Sequence, residues 1–209
     1  MRMKGNYLIQ ARQAKQRFLT YNQQMLIRKL NLSYDETYLY AQLLRQTYRL
    51  NRKDAFLERQ EGERWLDANT YEEVMTLLDL VCDSREDRCL RHRWKSMESF
   101  GLMFHQNLLQ ESADPTANRI DSAPKAFRWA CEKMGGQRLS GADIGYAIEL
   151  FDGLQIGIQF WHGDEEFLPR LRYLWDENAR QYIRYETMYF AIGLLKRWIL
   201  EYMENAPSD

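Results

Sequence analysis

Residues 145–161, GYAIELFDGLQIGIQFW, hold two alternating apolar runs joined by Asp152-Gly153. An Asp-Gly pair between such runs predicts a β-hairpin, because the two-residue turn that matches strand twist needs positive φ at both central positions. A regular ladder then sets the register: Phe151 faces Leu154, Glu149 faces Ile156, Ala147 faces Ile158 and Gly145 faces Phe160, all on one side. Tyr146, Ile148 and Leu150 fall on the other side with Gln155, Gly157 and Gln159. One face is strongly apolar, and on this register it contains Glu149.

Downstream, LPRLRYLW (168–175) alternates again, placing Leu171, Tyr173 and Trp175 on one face of a third antiparallel strand. Asp176 is placed to cap a short helix, and Ala191, Leu194, Leu195, Trp198, Ile199 and Tyr202 form the apolar stripe of a terminal helix over 186–203. Upstream, Asp121 or Ser122 is expected to cap a helix with Pro124 in its first turn, Phe127, Ala130, Cys131 and Met134 on one side, and Gly135-Gly136 at its end. Residues 110–120 read as a surface loop in which Pro115 excludes continuous helix, and 94–109 as irregular. Thr70 and Glu73 form a capping box for a helix over 71–82, followed by a polar loop over 83–93. TYRL and AFLER flank the turn Asn51-Arg52-Lys53-Asp54 as a second hairpin. Ser33 and Glu36 suggest a capping box for a helix carrying Leu39, Leu43 and Leu44, and residues 1–30 read as a single helix striped by Leu8, Ala11, Phe18 and Leu26. The expected fold class is α+β, several helices packed on a small antiparallel sheet, in a single domain over 1–209.

Charge is distributed unevenly. The net charge is −1, yet residues 1–30 carry seven basic residues and no acid, so the remainder carries −8. The basic N-terminal helix is expected to dock on the acidic body, or else to meet a protein partner. Near-neutral balance disfavours nucleic acid, and the aromatic residues fall mostly at core-facing positions. Three cysteines without a CxxC give neither a disulfide framework nor a four-thiolate site, and no apolar run reaches the roughly 18 residues of a membrane span. Reduced thiols and the lack of a signal-like N-terminus lead to the expectation of a soluble, cytoplasmic protein.

An antiparallel pair, then GDEEF, a proline, a short strand ending in LWDEN, and the helix YETMYFAIGLLKRWILEY together resemble an uncharacterised family of anaerobic bacteria classed as a domain of unknown function. The resemblance covers about residues 140–203 and implies no established reaction or catalytic residues. Some members of that family look fused to a four-cysteine iron–sulfur module; this chain has only Cys82, Cys89 and Cys131.

Among chemistry-bearing motifs, Cys82, Cys89 and His92 lack an obvious fourth zinc ligand, and GGQRLSG (135–141) lacks the Lys-Ser/Thr ending of a P-loop. FWHGDEEF (160–167) is the strongest candidate. On the regular register Asp143 lies opposite His162 and is expected to orient its imidazole, while Asp164 and Glu166 beyond Gly163 either face water in an acidic turn that closes the sheet, as turn carboxylates usually do, or supply oxygens to a divalent ion. His162, Asp164 and Glu166 are thus the candidate metal ligands, with Asp143 and Glu149 as further ligand-binding candidates. Glu149 stands apart, because six strand positions separate it from His162, about 20 Å. No complete catalytic set emerges. The residues favour a non-catalytic binding or interaction protein, with a divalent-metal-binding accessory protein or enzyme using the 160–167 turn as the alternative. They leave the cofactor unknown.

Overall fold

In the computed structural model, which describes residues 2–100 and 114–207, Asp152 (φ 50°) and Gly153 (φ 80°) make the expected turn. The turn joins β8 (Ile144–Phe151) to β9 (Leu154–Trp161). Phe151 pairs with Leu154 as expected, but from Glu149 onward the register moves by one: Glu149 pairs with Gln155, Ile148 with Ile156, Tyr146 with Ile158 and Ile144 with Phe160. A β-bulge at Leu150 causes the shift. Its physical reason is visible in the side chains. The shifted ladder gathers Ile144, Tyr146, Ile148, Ile156, Ile158 and Phe160 on one buried face, and moves exposed Glu149 off it.

The described chain divides into two units, each discontinuous in sequence. One comprises residues up to Cys89 with Arg180–Ala191, the other Leu90–Ala179 with the residues from Ile192 onward. The α+β class holds in both.

The first unit opens with α1 (Arg2–Thr20) and α2 (Gln23–Leu30). The single helix expected over 1–30 is broken because the Asn22 side chain accepts from the Gln24 and Met25 amides and starts a new helix. A five-stranded antiparallel meander follows: β1 (Ser33–Tyr34), β2 (Tyr38–Leu43), β3 (Gln46–Asn51), β4 (Leu57–Glu61) and β5 (Arg64–Asp67). The helix expected after Ser33 is therefore strand. Asp35, accepting from the Thr37 and Tyr38 amides, turns β1 into β2, and Leu39, Ala41 and Leu43 bury every second side chain. The hairpin around Asn51–Asp54 is present. Next, α3 (Tyr71–Asp83) starts at the expected Thr70 cap and buries Val74, Leu77, Leu78 and Val81. The Tyr48 hydroxyl donates to Glu73 Oε1 at 3.0 Å, joining β3 to α3.

In the second unit β6 (Trp94–Ser96) forms where irregular chain was expected, and a 3-10 turn follows over Met97–Phe100. The rest of that expectation, and the loop reading of 110–113, lie outside the described residues. From Pro115 the expected loop is instead α4 (Pro115–Ser122): proline occupies the first turn, where its missing N–H costs nothing, and Asp114 caps it. In α5 (Pro124–Lys133) the cap position is Ala123, without a side-chain bond; Asp121 and Ser122 bond elsewhere. With β7 (Gln137–Arg138) and β10 (Arg170–Asp176), the second sheet runs β6-β10-β9-β8-β7, all antiparallel. Phe127 of α5 lies edge-on to Tyr146 and Phe160 at 6.4 and 6.1 Å, so α5 covers the apolar face. The terminal helix α6 (Tyr185–Glu204) contributes its first residues to the first unit and the remainder to the second. No described helix is long and apolar enough to cross a membrane.

Candidate functional site

The residues singled out around FWHGDEEF are tied to the backbone. Asp143 does meet His162, but through the main chain: its Oδ2 accepts from the His162 amide at 2.9 Å. The imidazole turns to Asp121 of α4, Nδ1 lying 2.7 Å from Oδ1, and stands edge-on to Phe160 at 5.0 Å between centroids. The expected side-chain pair is thus corrected to Asp121–His162, because the bulge moves Asp143 away from the position directly across the ladder. Asp164 Oδ1 accepts from the amides of Glu166 (2.8 Å) and Phe167 (2.7 Å), so this carboxylate closes the turn. Glu149 Oε1 accepts from the Gly153 amide at 3.0 Å and clips the hairpin turn. Glu166 is exposed. No three His, Cys, Asp or Glu side chains among the described residues converge on a metal-sized point. Cys82 is enclosed, burial pushing its thiol up to about 12, whereas Cys89 is exposed.

A denser charged cluster lies in the first unit. Asp79 and Asp83 are one turn apart on α3. Asp79, 2% exposed, accepts from the Arg184 amide (2.8 Å) and Nε (2.6 Å), closing the N-terminus of α6. Asp83 accepts from Arg17 of α1, from Arg184 Nη2 and, at 2.7 Å, from the Tyr21 hydroxyl. Burial raises the Asp79 carboxyl above its usual range, against the pull of its Arg184 bonds. Asp83 is lowered: burial pushes it up, but hydrogen bonds from Tyr21 and Asp79 and the two guanidiniums outweigh this. Burial and the Asp83 bond drive the Tyr21 phenol up to about 12. The two carboxyls are thus pushed apart, Asp79 upward and Asp83 downward.

This arrangement sits at a cavity of about 530 Å³ walled by α1, α3 and the start of α6. Arg17 and Arg184 face it with side chains 36% and 51% exposed, joined by Gln10, Gln13, Tyr71 and Phe190. Tyr71 stacks against Tyr7 at 4.6 Å and edge-on to Phe190 at 4.9 Å, and its hydroxyl donates to Gln10 Oε1. The acids stand behind the guanidiniums and fix their planes. Among the described residues, Arg184 Nη1 and Arg17 Nε and Nη1 keep donors that no hydrogen bond uses. The two guanidiniums thus give the wall hydrogen-bond donors, with Glu186 the one carboxylate beside them among the described lining residues.

The sequence carried one overlooked signal for this cluster: Asp79 stands inside the apolar run LLDLVC (77–82), where an unpaired acid would be costly. Its partner Arg184 lies 105 residues away and has no local signature.

The fold and cluster define a two-sheet α+β protein with an arginine-lined cavity. The chain belongs to the family described as Domain of unknown function (DUF3786), whose model matches residues 23–198. That span includes Asp79, Asp83 and Arg184, while α1 with Arg17 precedes it. Neither a curated protein nor a solved structure matches the sequence.

Proposed function

We propose that this is a non-catalytic binding protein whose cavity in the first unit takes a small oxyanion-bearing molecule with a flat apolar part. The observation carrying this reading is the pair of partly exposed guanidiniums, Arg17 and Arg184, held in place by buried Asp79 and half-buried Asp83 at the cavity wall. A guanidinium fixed from behind presents its remaining N–H edge to carboxylate or phosphate without losing side-chain entropy on binding. Tyr71 and Phe190 offer an apolar wall for the rest of the ligand. Binding suits the site better than catalysis, since Asp79 is enclosed and its oxygens are engaged by Arg184.

Isothermal titration calorimetry with benzoate and with inorganic phosphate tests the reading on the full chain. Wild type should bind one or both. Arg184→Gln and Arg17→Gln should each weaken binding about 10- to 100-fold, the worth of one charge-assisted hydrogen bond of roughly 1.5–3 kcal/mol. No heat with either anion, or undiminished affinity in both variants, would refute it.

A further inference from the structure

The first sheet has a second face, and its chemistry is unusual. Register places Tyr38, Tyr40, Arg49, Glu58 and Trp65 together on the side opposite buried Leu39, Leu43, Tyr48 and Leu50. The outer face of such a sheet is ordinarily polar; here two large rings, Tyr38 and Trp65, lie against one cation and a third, Tyr40, lies beside them. The Arg49 guanidinium lies 4.3 Å from the Tyr38 ring centroid and 4.4 Å from that of Trp65. Its Nε donates to Glu58 at 2.7 Å, and its side chain is 20% exposed. The guanidinium is therefore fixed in plane. Its two Nη atoms meet no acceptor among the described residues. Tyr40 extends the patch, its ring 6.1 Å from Trp65 and 6.4 Å from Tyr38, and its hydroxyl is anchored on Asp35 at 2.6 Å.

We propose that this face binds a neutral oligosaccharide. A pyranose ring has apolar C–H faces that lie on aromatic rings and a rim of hydroxyls that both donate and accept. Tyr40 and Trp65 offer the ring surface, the Arg49 Nη edge offers donors, and Glu58 with Asp67, paired across β4 and β5, offers acceptors. Charge selects against the alternatives. Arg49 and Glu58 cancel and Asp67 leaves the face slightly acidic, so a polyanion finds no excess of cations to replace its counterions. From β2 to β5 the face spans three strand spacings, about 14 Å, room for several sugar units. Rigid aromatic residues lose little entropy on binding, and the Tyr38–Arg49–Trp65 stack is already assembled.

Affinity gel electrophoresis and calorimetry with cellohexaose, chitohexaose, maltohexaose, xylohexaose and mannohexaose test the proposal on the full chain. At least one should bind. Trp65→Ala and Tyr40→Ala should each lower its affinity tenfold or more, while Trp65→Phe keeps binding within about threefold because a ring remains. Circular dichroism separates lost binding from lost fold, and Tyr40→Ala stands in if Trp65→Ala does not fold. Silence across all five sugars overturns the assignment, as does affinity unchanged in folded Trp65→Ala and Tyr40→Ala. Binding of oligothymidylate or self-association abolished by the same variants, with no sugar bound, would give the face to another occupant.

Discussion

Replacing Asp79 with alanine should be among the most damaging single changes in the first unit, and its cost can be worked from two contacts. Loss of the acceptor at the start of α6 removes a helix cap, about 1 kcal/mol. Loss of the bond from Arg184 Nε removes a charge-assisted hydrogen bond of roughly 1.5–3 kcal/mol, discounted to about 1–2 because Arg184 is 51% exposed and water can solvate it afterwards. Together these come to about 2–3 kcal/mol, and for a chain of this length each kcal/mol lowers Tm by roughly 2–4 °C. A fall of about 5–10 °C in differential scanning calorimetry is expected. Asp79→Asn should cost about half as much, because it keeps the shape and an acceptor and because burial already favours the neutral acid. Arg184→Ala keeps the backbone amide but leaves buried Asp79 without its guanidinium, so it should cost about as much as Asp79→Ala. An Asp79→Ala or Arg184→Ala variant melting within 1 °C of wild type would refute the reasoning.

Two further outcomes concern the second unit and the turns. A Cβ added at Gly145 would lie 2.2 Å from the Leu139 carbonyl oxygen, whereas at Gly62 it would meet nothing within 4 Å and only φ +58° opposes it. Urea denaturation should therefore show Gly145→Ala losing about 3 kcal/mol and Gly62→Ala about 1 kcal/mol; the reverse order would count against the packing of β8. Asp114, bonded to Lys196 and the Thr116 amide, is held below the usual carboxylate range although burial alone would raise it. A carboxyl lowered on folding stabilises fully above its unfolded value, near 4, and loses that contribution as pH falls through the folded one. Asp114→Asn should accordingly flatten the acid limb of the stability curve below about pH 4 while changing its slope little above pH 5. An acid limb as steep as wild type would contradict the ion pair.

How far the sequence could be read depended on whether the decisive contact was local. Asp152-Gly153, Thr70 with Glu73, and the period-2 run Leu171, Tyr173, Trp175 each encode their element within a few residues, and all three stand. The hairpin register failed for a reason the residues contain: a two-residue turn cannot place even-numbered Ile144, Tyr146 and Ile148 on the same face as even-numbered Ile156, Ile158 and Phe160. Burying both sets requires one extra residue, and Leu150 is that residue. The strands after Ser33 were hidden by a cap-like Ser-x-x-Glu that outweighed the alternation of Leu39, Ala41 and Leu43. Around His162 the sequence named Asp143 correctly as a neighbour, but not Asp121, which comes from a helix 41 residues earlier. The Asp79–Arg184 cluster depends on a pairing over 105 residues, beyond any periodicity or spacing argument.

That long separation has a consequence for synthesis. A ribosome adding roughly 5–20 residues per second makes Asp79 about 5–20 s before Arg184, counting the 105 residues between the two. Throughout that interval the first five strands can pair, yet Asp79 stands without the group that completes its bonding. The first unit, though most of it precedes Leu90, finishes only when 180–191 has emerged. Its completion waits on the synthesis of the whole intervening stretch of the second unit.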